Sequence, residues 1–147
     1  MKYEKYPTTS SASGLQYEFV SVGPKGHILK IIEFIEQQDE EDLYEISFGD
    51  FNDYGEIDLL VNSENHDRDK ILETVICTID SFLNQTPDAG VVFKGSTPSR
   101  TRLYRLTIAK RLNEFKTKFR LFGFHKDHWI SFYPDHDFTS FLVRRKK

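Results

Sequence analysis

The stretch that decides the fold runs from Asp67 to Pro87 and reads DRDKILETVICTIDSFLNQTP. Asn65 or Asp67 supplies a helix N-cap, and Pro87 ends the pattern. The apolar residues between them recur three and four positions apart, which places them on one face of an α-helix: Ile71, Leu72, Val75, Ile76, Ile79, Phe82 and Leu83. We therefore predict an amphipathic helix that packs against a sheet.

Three strands are predicted before this helix. Residues 14–22 and 43–48 alternate apolar and polar side chains, as half-buried strands do. Residues 28–35 follow the turn Gly23-Pro24-Lys25-Gly26 and form the return strand of a hairpin. The run from Ile57 to Val61 is short, and its type stays open.

A second helix and four strands are predicted after it. Val91 to Phe93 is a short buried strand, and Thr97-Pro98 opens a helix because proline is favoured at the first helical position. The apolar face of this helix carries Thr101, Tyr104, Ile108, Leu112 and Phe115. The closing strands are residues 119–124, 128–132 and 138–144.

The order β-β-β-α-β-α-β-β-β predicts an α+β fold. We expect an antiparallel or mixed sheet of about six to seven strands with two main helices on one face. Residues 1–13 are polar and unpatterned, which predicts a flexible N-terminal arm. Residues 14–147 then form a single domain, since 147 residues are a common length for one domain.

Composition narrows the class of protein. Cys77 is the only cysteine, so no internal disulfide can form, and the sequence lacks the signature of a small secreted domain. No apolar run approaches the thickness of a bilayer, so no membrane partner is expected. These features predict a cytoplasmic protein.

Charge is distributed unevenly along the chain. Between residues 36 and 73 there are fourteen acidic residues and two basic ones, whereas residues 94–120 contain nine basic residues and one acidic residue. The last four residues, 144–147, are all basic. Either the two halves neutralise each other within the fold, or one of them attracts a charged partner, because local clusters set the field near the surface.

The most chemically distinctive segment opens the second helix. It reads Gly95-Ser96-Thr97-Pro98-Ser99-Arg100. The unpaired backbone N–H groups of a helix start attract phosphate or carboxylate, and hydroxyl and basic side chains add donors. The candidate anion- or nucleic-acid-binding residues are Lys94, Ser96, Thr97, Ser99, Arg100, Arg102, Tyr104 and Arg111.

A purely structural explanation of this segment stays open. Ser96 or Thr97 would cap the helix, and the arginines would pair with the acidic half of the chain. The segment lacks the Gly-x-x-x-x-Gly-Lys-Ser/Thr pattern, which excludes a nucleotide P-loop.

Other polar clusters give weaker signals. The run from Asn65 to Lys70 has hard oxygen donors but lacks the glycine and distal glutamate of a calcium loop, which favours helix capping. The spacing of the five histidines matches no zinc set, and Cys77 is expected to be a buried, inert thiol. The histidines are His27, His66, His125, His128 and His136. We predict no metal, no cofactor and no assignable catalytic residue.

Three segments together resemble an uncharacterised, single-domain bacterial family of about this length. They are Gly23 to Gly26, Asp67 to Lys70, and Gly95-Ser96-Thr97-Pro98-Ser99-Arg100-Thr101-Arg102-Leu103-Tyr104. The ending from Phe141 to Lys146 is also similar. The resemblance spans residues 15–146 and implies no activity, so it supplies no catalytic residues.

Three functions are compatible with the sequence. The first is an intracellular module that binds nucleic acid or a phosphorylated ligand through the basic helix start. The second is an enzyme on a phosphate-bearing substrate, such as a small nuclease or toxin-type component. The third is a protein–protein interaction component, either a homo-oligomer or a subunit with a different partner.

Overall fold

The structure, a computed structural model, describes residues 4–51, 57–58, 67–95 and 98–146. Nine strands and three helices lie within these ranges. The strands are β1 (Thr9–Ser10), β2 (Gln16–Gly23), β3 (Gly26–Glu36), β4 (Leu43–Phe51), β5 (Ile57–Asp58), β6 (Gly90–Phe93), β7 (Phe119–His125), β8 (His128–Ser131) and β9 (Phe141–Arg145). The helices are α1 (Arg68–Gln85), α2 (Pro98–Lys110) and α3 (Leu112–Phe115).

The strands form one sheet in the order β1-β2-β3-β4-β6-β9-β7-β8, and β5 pairs with β4. The sheet is mixed, because β4 and β6 run parallel with Leu43 opposite Gly90, whereas β9 is antiparallel to both its neighbours. The predicted α+β class is confirmed, and the seven predicted strands correspond to β2–β4 and β6–β9. The two additional strands, β1 and β5, have two residues each and are too short to produce an alternating pattern.

Contacts group the chain into two compact units, and the first comprises Met1–Ile35 and Ile46–Gln85. The predicted apolar face of α1 is fully buried only in the later part of the helix, whereas the buried residues before it are Glu73, Thr74 and Thr78. Phe82 of α1 stacks on Phe34 of β3 with ring centroids 4.1 Å apart, and Leu83 and Ile32 are fully buried. Helix α1 is therefore held mainly by burial of its apolar face rather than by helix propensity.

The N-terminal segment has specific contacts within this unit at Tyr6. The Tyr6 ring is 7 % exposed and stacks on Phe19, and its backbone N–H donates to Thr74 Oγ1 at 2.9 Å. The Tyr6 hydroxyl donates to Asp67 Oδ2 at 2.5 Å and accepts a hydrogen bond from the Val22 N–H at 3.0 Å. The segment predicted as a flexible arm thus includes a residue that is buried and hydrogen-bonded.

The second unit comprises Glu36–Glu45 and Thr86–Lys147. Its core lies around β6 and β9, where Phe93 stacks on Phe141 at 5.4 Å and Val91 is fully buried. Gly123 of β7 is required by a close approach, because a Cβ atom there would lie 2.2 Å from the Phe138 ring. This contact packs the segment that follows β8 across β7.

None of the helices described has the length and apolar character needed to cross a membrane. The prediction of one domain over residues 14–147 stays a prediction.

Candidate functional site

Helix α2 presents one face to solvent. Its exposed positions are three and four residues apart, so they lie on the same side of the helix: Ser99, Arg102, Leu106 and Lys110. Lys94, which precedes the helix, is also exposed. We call Lys94, Ser99 and Arg102 the α2-start surface.

Arg102 supplies an available positive charge on this surface. Within the described part of the chain, Arg102 belongs to no ion pair, whereas Arg105 and Arg111 both have acidic partners. The arginines in and directly after α2 therefore differ in whether they face solvent or an acidic partner.

The backbone before α2 is held by Thr101. The Gly95 N–H donates to Thr101 Oγ1 at 3.0 Å, so this amide is used within the protein. Ser96 and Thr97, both candidate residues, lie outside the described residues, and so does the side chain of Arg100.

Tyr104 belongs to the packed side of α2. Its ring meets Phe93 edge-on at 5.7 Å and is half-buried. Because Phe93 also stacks on Phe141, Tyr104 positions the helix on β6.

Arg111 is engaged within the protein. Its Nε and Nη2 donate to the two carboxylate oxygens of Glu114 at 2.9 and 3.1 Å, and the guanidinium lies 4.9 Å from the Phe115 ring centroid. The Arg111 side chain is only 10 % exposed. This bidentate pair joins the end of α2 to α3.

Arg105 connects α2 to the segment after β8. Its Nη1 donates to the Pro134 carbonyl at 2.7 Å, and its Nε lies 3.4 Å from Asp137 Oδ1. The Arg105 side chain is 15 % exposed. Arg105 follows Arg102 by three residues, so the two are neighbours along the helix surface.

Two histidines meet beside this connection. His136 Nε2 and His125 Nδ1 are 2.7 Å apart, and the ring planes are 81° apart. Sequence reasoning missed this pair, since eleven residues separate the two and only the β7–β8 hairpin brings them together. Burial, followed by the charges of His136, Lys126 and His128, lowers the pKa of His125 below its usual value of 6.5.

Comparison with known proteins places the chain in a family. A model of a family of unknown function, DUF6934, matches residues 2–146. The chain belongs to DUF6934. The resemblance to an uncharacterised family is thereby confirmed. No curated protein and no solved structure matches the chain significantly.

The basic C-terminus of this DUF6934 member makes internal contacts. Arg144 donates to the Asp88 carbonyl at 3.3 Å, and Lys146 Nζ donates to the Lys116 carbonyl at 3.2 Å. The Arg145 guanidinium lies 5.4 Å from the Phe119 ring centroid. These side chains therefore help to fix the end of the chain, and Lys147 lies outside the described residues.

Asp67 has a structural role in this chain. Its Oδ2 accepts hydrogen bonds from the Tyr6 and Ser21 hydroxyls, each at 2.5 Å, and its carbonyl accepts the Ile71 N–H at 2.9 Å. Over the described ranges, no group of three or more His, Cys, Asp or Glu residues is placed to hold a metal ion. Asn65 and His66 lie outside those ranges.

Cys77 is half-buried on α1, with its Sγ donating to Glu73 Oε1 at 3.5 Å. Burial, followed by the negative charge of Glu73, raises the pKa of the thiol above its usual value of 9.0. The thiol is therefore in its less reactive, protonated form at neutral pH.

Proposed function

We propose that this DUF6934 protein binds phosphate groups, in nucleic acid or in a smaller phosphorylated ligand, through the α2-start surface. The observation that carries the proposal is that Arg102 is exposed and free of ion pairs among the described residues. An unpaired surface arginine can bind a phosphate without first breaking an internal salt bridge.

The position of Arg102 supports this assignment. The first turn of a helix carries partial positive charge, and Ser99 and Lys94 add a hydroxyl and an ammonium group nearby in the sequence. Residues 94–120 also have a strong excess of basic residues, which attracts anions at moderate salt.

The contacts of the candidate residues suggest a different role for each group of them. Lys94, Ser99 and Arg102 contact the ligand, while Tyr104 and Arg111 position the helix through Phe93 and Glu114. We include three more residues in the binding surface because of their position in the sequence: Ser96, Thr97 and Arg100. We also propose that the protein is bacterial and cytoplasmic, as its sequence leads us to expect.

The test compares substitutions of two exposed arginines near the N-terminal ends of two helices. Arg102→Ala removes the proposed contact, and Arg68→Ala is its control, because Arg68 is exposed in the first turn of α1 beside Asp69. Fluorescence anisotropy with a labelled 20-mer oligonucleotide, repeated from 50 to 300 mM salt, measures affinity and its salt dependence.

We expect Arg102→Ala to weaken binding several-fold and to lower the slope of log K against log salt by about 1. Arg68→Ala should leave both values unchanged. Competition with inorganic phosphate and with a nucleoside triphosphate distinguishes a small ligand from a polymer. Equal binding by the wild type and Arg102→Ala, or no binding to any of these probes, would refute the proposal.

A further inference from the structure

The loop from Tyr133 to Asp137, which we call the 133–137 loop, is attached by polar contacts at His136, Pro134 and Asp137. It is mostly exposed, and it lies between two deeply buried rings, Phe132 and Phe138. One polar attachment is the contact between His136 and His125, and the other joins Arg105 of α2 to Pro134 and Asp137. Burial anchors the two phenylalanines, while the residues between them are held by these polar contacts and by the packing of Tyr133 and His136 on Phe138.

The His125–His136 contact can exist only in certain protonation states. A neutral imidazole has one N–H donor and one acceptor nitrogen, so two nitrogens 2.7 Å apart must share a single proton. One added proton strengthens the bond, because the donor becomes charged. A second added proton places two N–H groups and two positive charges against each other, which breaks the bond.

The surroundings of the pair determine when the second proton binds. Lys126 and His128 of the β7–β8 turn add positive charge near His125 and oppose protonation. The Tyr133 ring lies 5.3 Å from His136, and the Phe138 ring lies 4.6 Å from it, so the apolar side of the pair is covered. Asp135 and Asp137 flank His136 in the sequence, and Asp137 is paired with Arg105.

Proton binding explains the pair better than metal binding does. Zinc sites in proteins use three or four side-chain ligands. Across the described ranges, no third His, Cys, Asp or Glu completes such a set around these two nitrogens.

We propose that double protonation of His125 and His136 detaches the 133–137 loop and releases Arg105 to the surface beside Arg102. The pair thus acts as a pH-sensitive latch on helix α2. The last step rests on the proposed function: a freed Arg105 would add a third basic side chain to the α2-start surface, so phosphate binding would strengthen as the pH falls.

The latch is tested without any ligand, by NMR. Ring titrations of the five histidines and backbone order parameters of Tyr133, Asp135, His136 and Asp137 are recorded between pH 7.5 and 5.0. The test variant is His136→Gln, since glutamine can donate to His125 but cannot take up the second proton. The control is His27→Gln, because His27 is an exposed histidine of β3 and is not among the charges that act on His125.

For the wild type and His27→Gln, we expect the His125 ring to titrate in two steps, as one member of a coupled pair. The order parameters of the loop should fall from about 0.85 to below about 0.6 across the lower step. In His136→Gln the loop should have the same order parameters at both pH values. A single-step titration of His125, a loop unchanged by pH in the wild type, or an unchanged pH response in His136→Gln would overturn the latch.

A separate measurement tests the link to binding. The affinity for the labelled oligonucleotide should rise more on acidification in the wild type than in His136→Gln. If the loop detaches but this difference is absent, the latch stands and its link to phosphate binding fails. If Arg102→Ala has no effect at either pH, the proposed function fails independently of the latch.

Discussion

At the scale of single residues, two buried tyrosines of the first unit differ in how their hydroxyl groups are satisfied. Tyr17 is 4 % exposed and meets Phe34 edge-on at 5.9 Å, yet within the described residues its hydroxyl has no hydrogen-bond partner. The Tyr6 hydroxyl, by contrast, bonds to both Asp67 and Val22. The same chemical group therefore costs stability at one position and contributes to it at the other.

This contrast predicts opposite effects for one substitution. Tyr17→Phe should raise the free energy of unfolding by about 1 kcal/mol, because it removes an unsatisfied buried hydroxyl. Tyr6→Phe should lower it by about 1–2 kcal/mol, because Asp67 and the Val22 N–H lose a partner. Urea denaturation followed by circular dichroism measures both, and destabilisation by Tyr17→Phe would contradict the assignment.

At the scale of elements, β7 and the segment after β8 depend on one close contact. Gly123 leaves room for the Phe138 ring, which also meets Tyr133 and Phe132. Gly123→Ala should destabilise the protein by about 1–3 kcal/mol, since the added methyl group overlaps a buried ring. Gly26→Ala is the control for steric overlap, because no atom lies within 4 Å of a Cβ atom at that position. The positive φ of 89° there makes backbone strain the only cost of this substitution. Thermal melts measure the melting temperatures of the two variants, and we expect the Gly26→Ala variant to have the higher one.

The elements also show how far the sequence predicts the structure. The apolar period from Ile71 to Leu83 is long enough to determine the type of α1, and Phe82 does pack on the sheet. It does not determine the buried face of the earlier part of the helix, where Thr74 and Thr78 are buried instead. The predicted apolar face of α2 is buried at Ile108 and half-buried at Thr101 and Tyr104. Its other two members, Leu112 and Phe115, lie in the separate helix α3. Strands of two residues carry no such period, so β1 went unpredicted.

Contacts between residues distant along the chain were beyond prediction. The sequence does not show which of the three arginines, Arg102, Arg105 and Arg111, bind a partner within the protein. A carbonyl and a carboxylate from the 133–137 loop engage Arg105, and Glu114 engages Arg111. His125 and His136 meet for the same reason, since the turn of the hairpin and the loop length decide their distance. Residue type thus identified the basic helix, while tertiary contacts determine which of its side chains are available.

At the scale of the whole molecule, shifted pKa values predict how stability depends on pH. Burial raises the pKa of Tyr17 above 10.0 and that of Cys77 above 9.0, so folding favours their protonated forms. Their contribution to the free energy of unfolding is fully present when the pH is below these usual pKa values. It is lost as the pH rises through the pKa values of the folded state. The pKa of His125 lies below 6.5, so the unfolded chain takes up its proton first and stability falls as the pH drops below 6.5.

We therefore expect the free energy of unfolding to be greatest between about pH 6.5 and 9. Urea denaturation from pH 5 to 10 measures this profile. Carboxylates contribute to the acid side as well, so His125→Gln serves to isolate the histidine: it should flatten the slope between pH 5 and 6.5. A wild-type and a His125→Gln profile of equal slope there would contradict the role of His125.

Cys77 has a practical consequence for studying the protein. A thiolate, not a thiol, reacts with alkylating reagents, so the half-buried Cys77 with its raised pKa reacts slowly in the folded state. An opening of α1 would expose an ordinary thiol to the reagent. Since the chain has no other cysteine, the rate at which the natural sequence is labelled reports how often this helix opens.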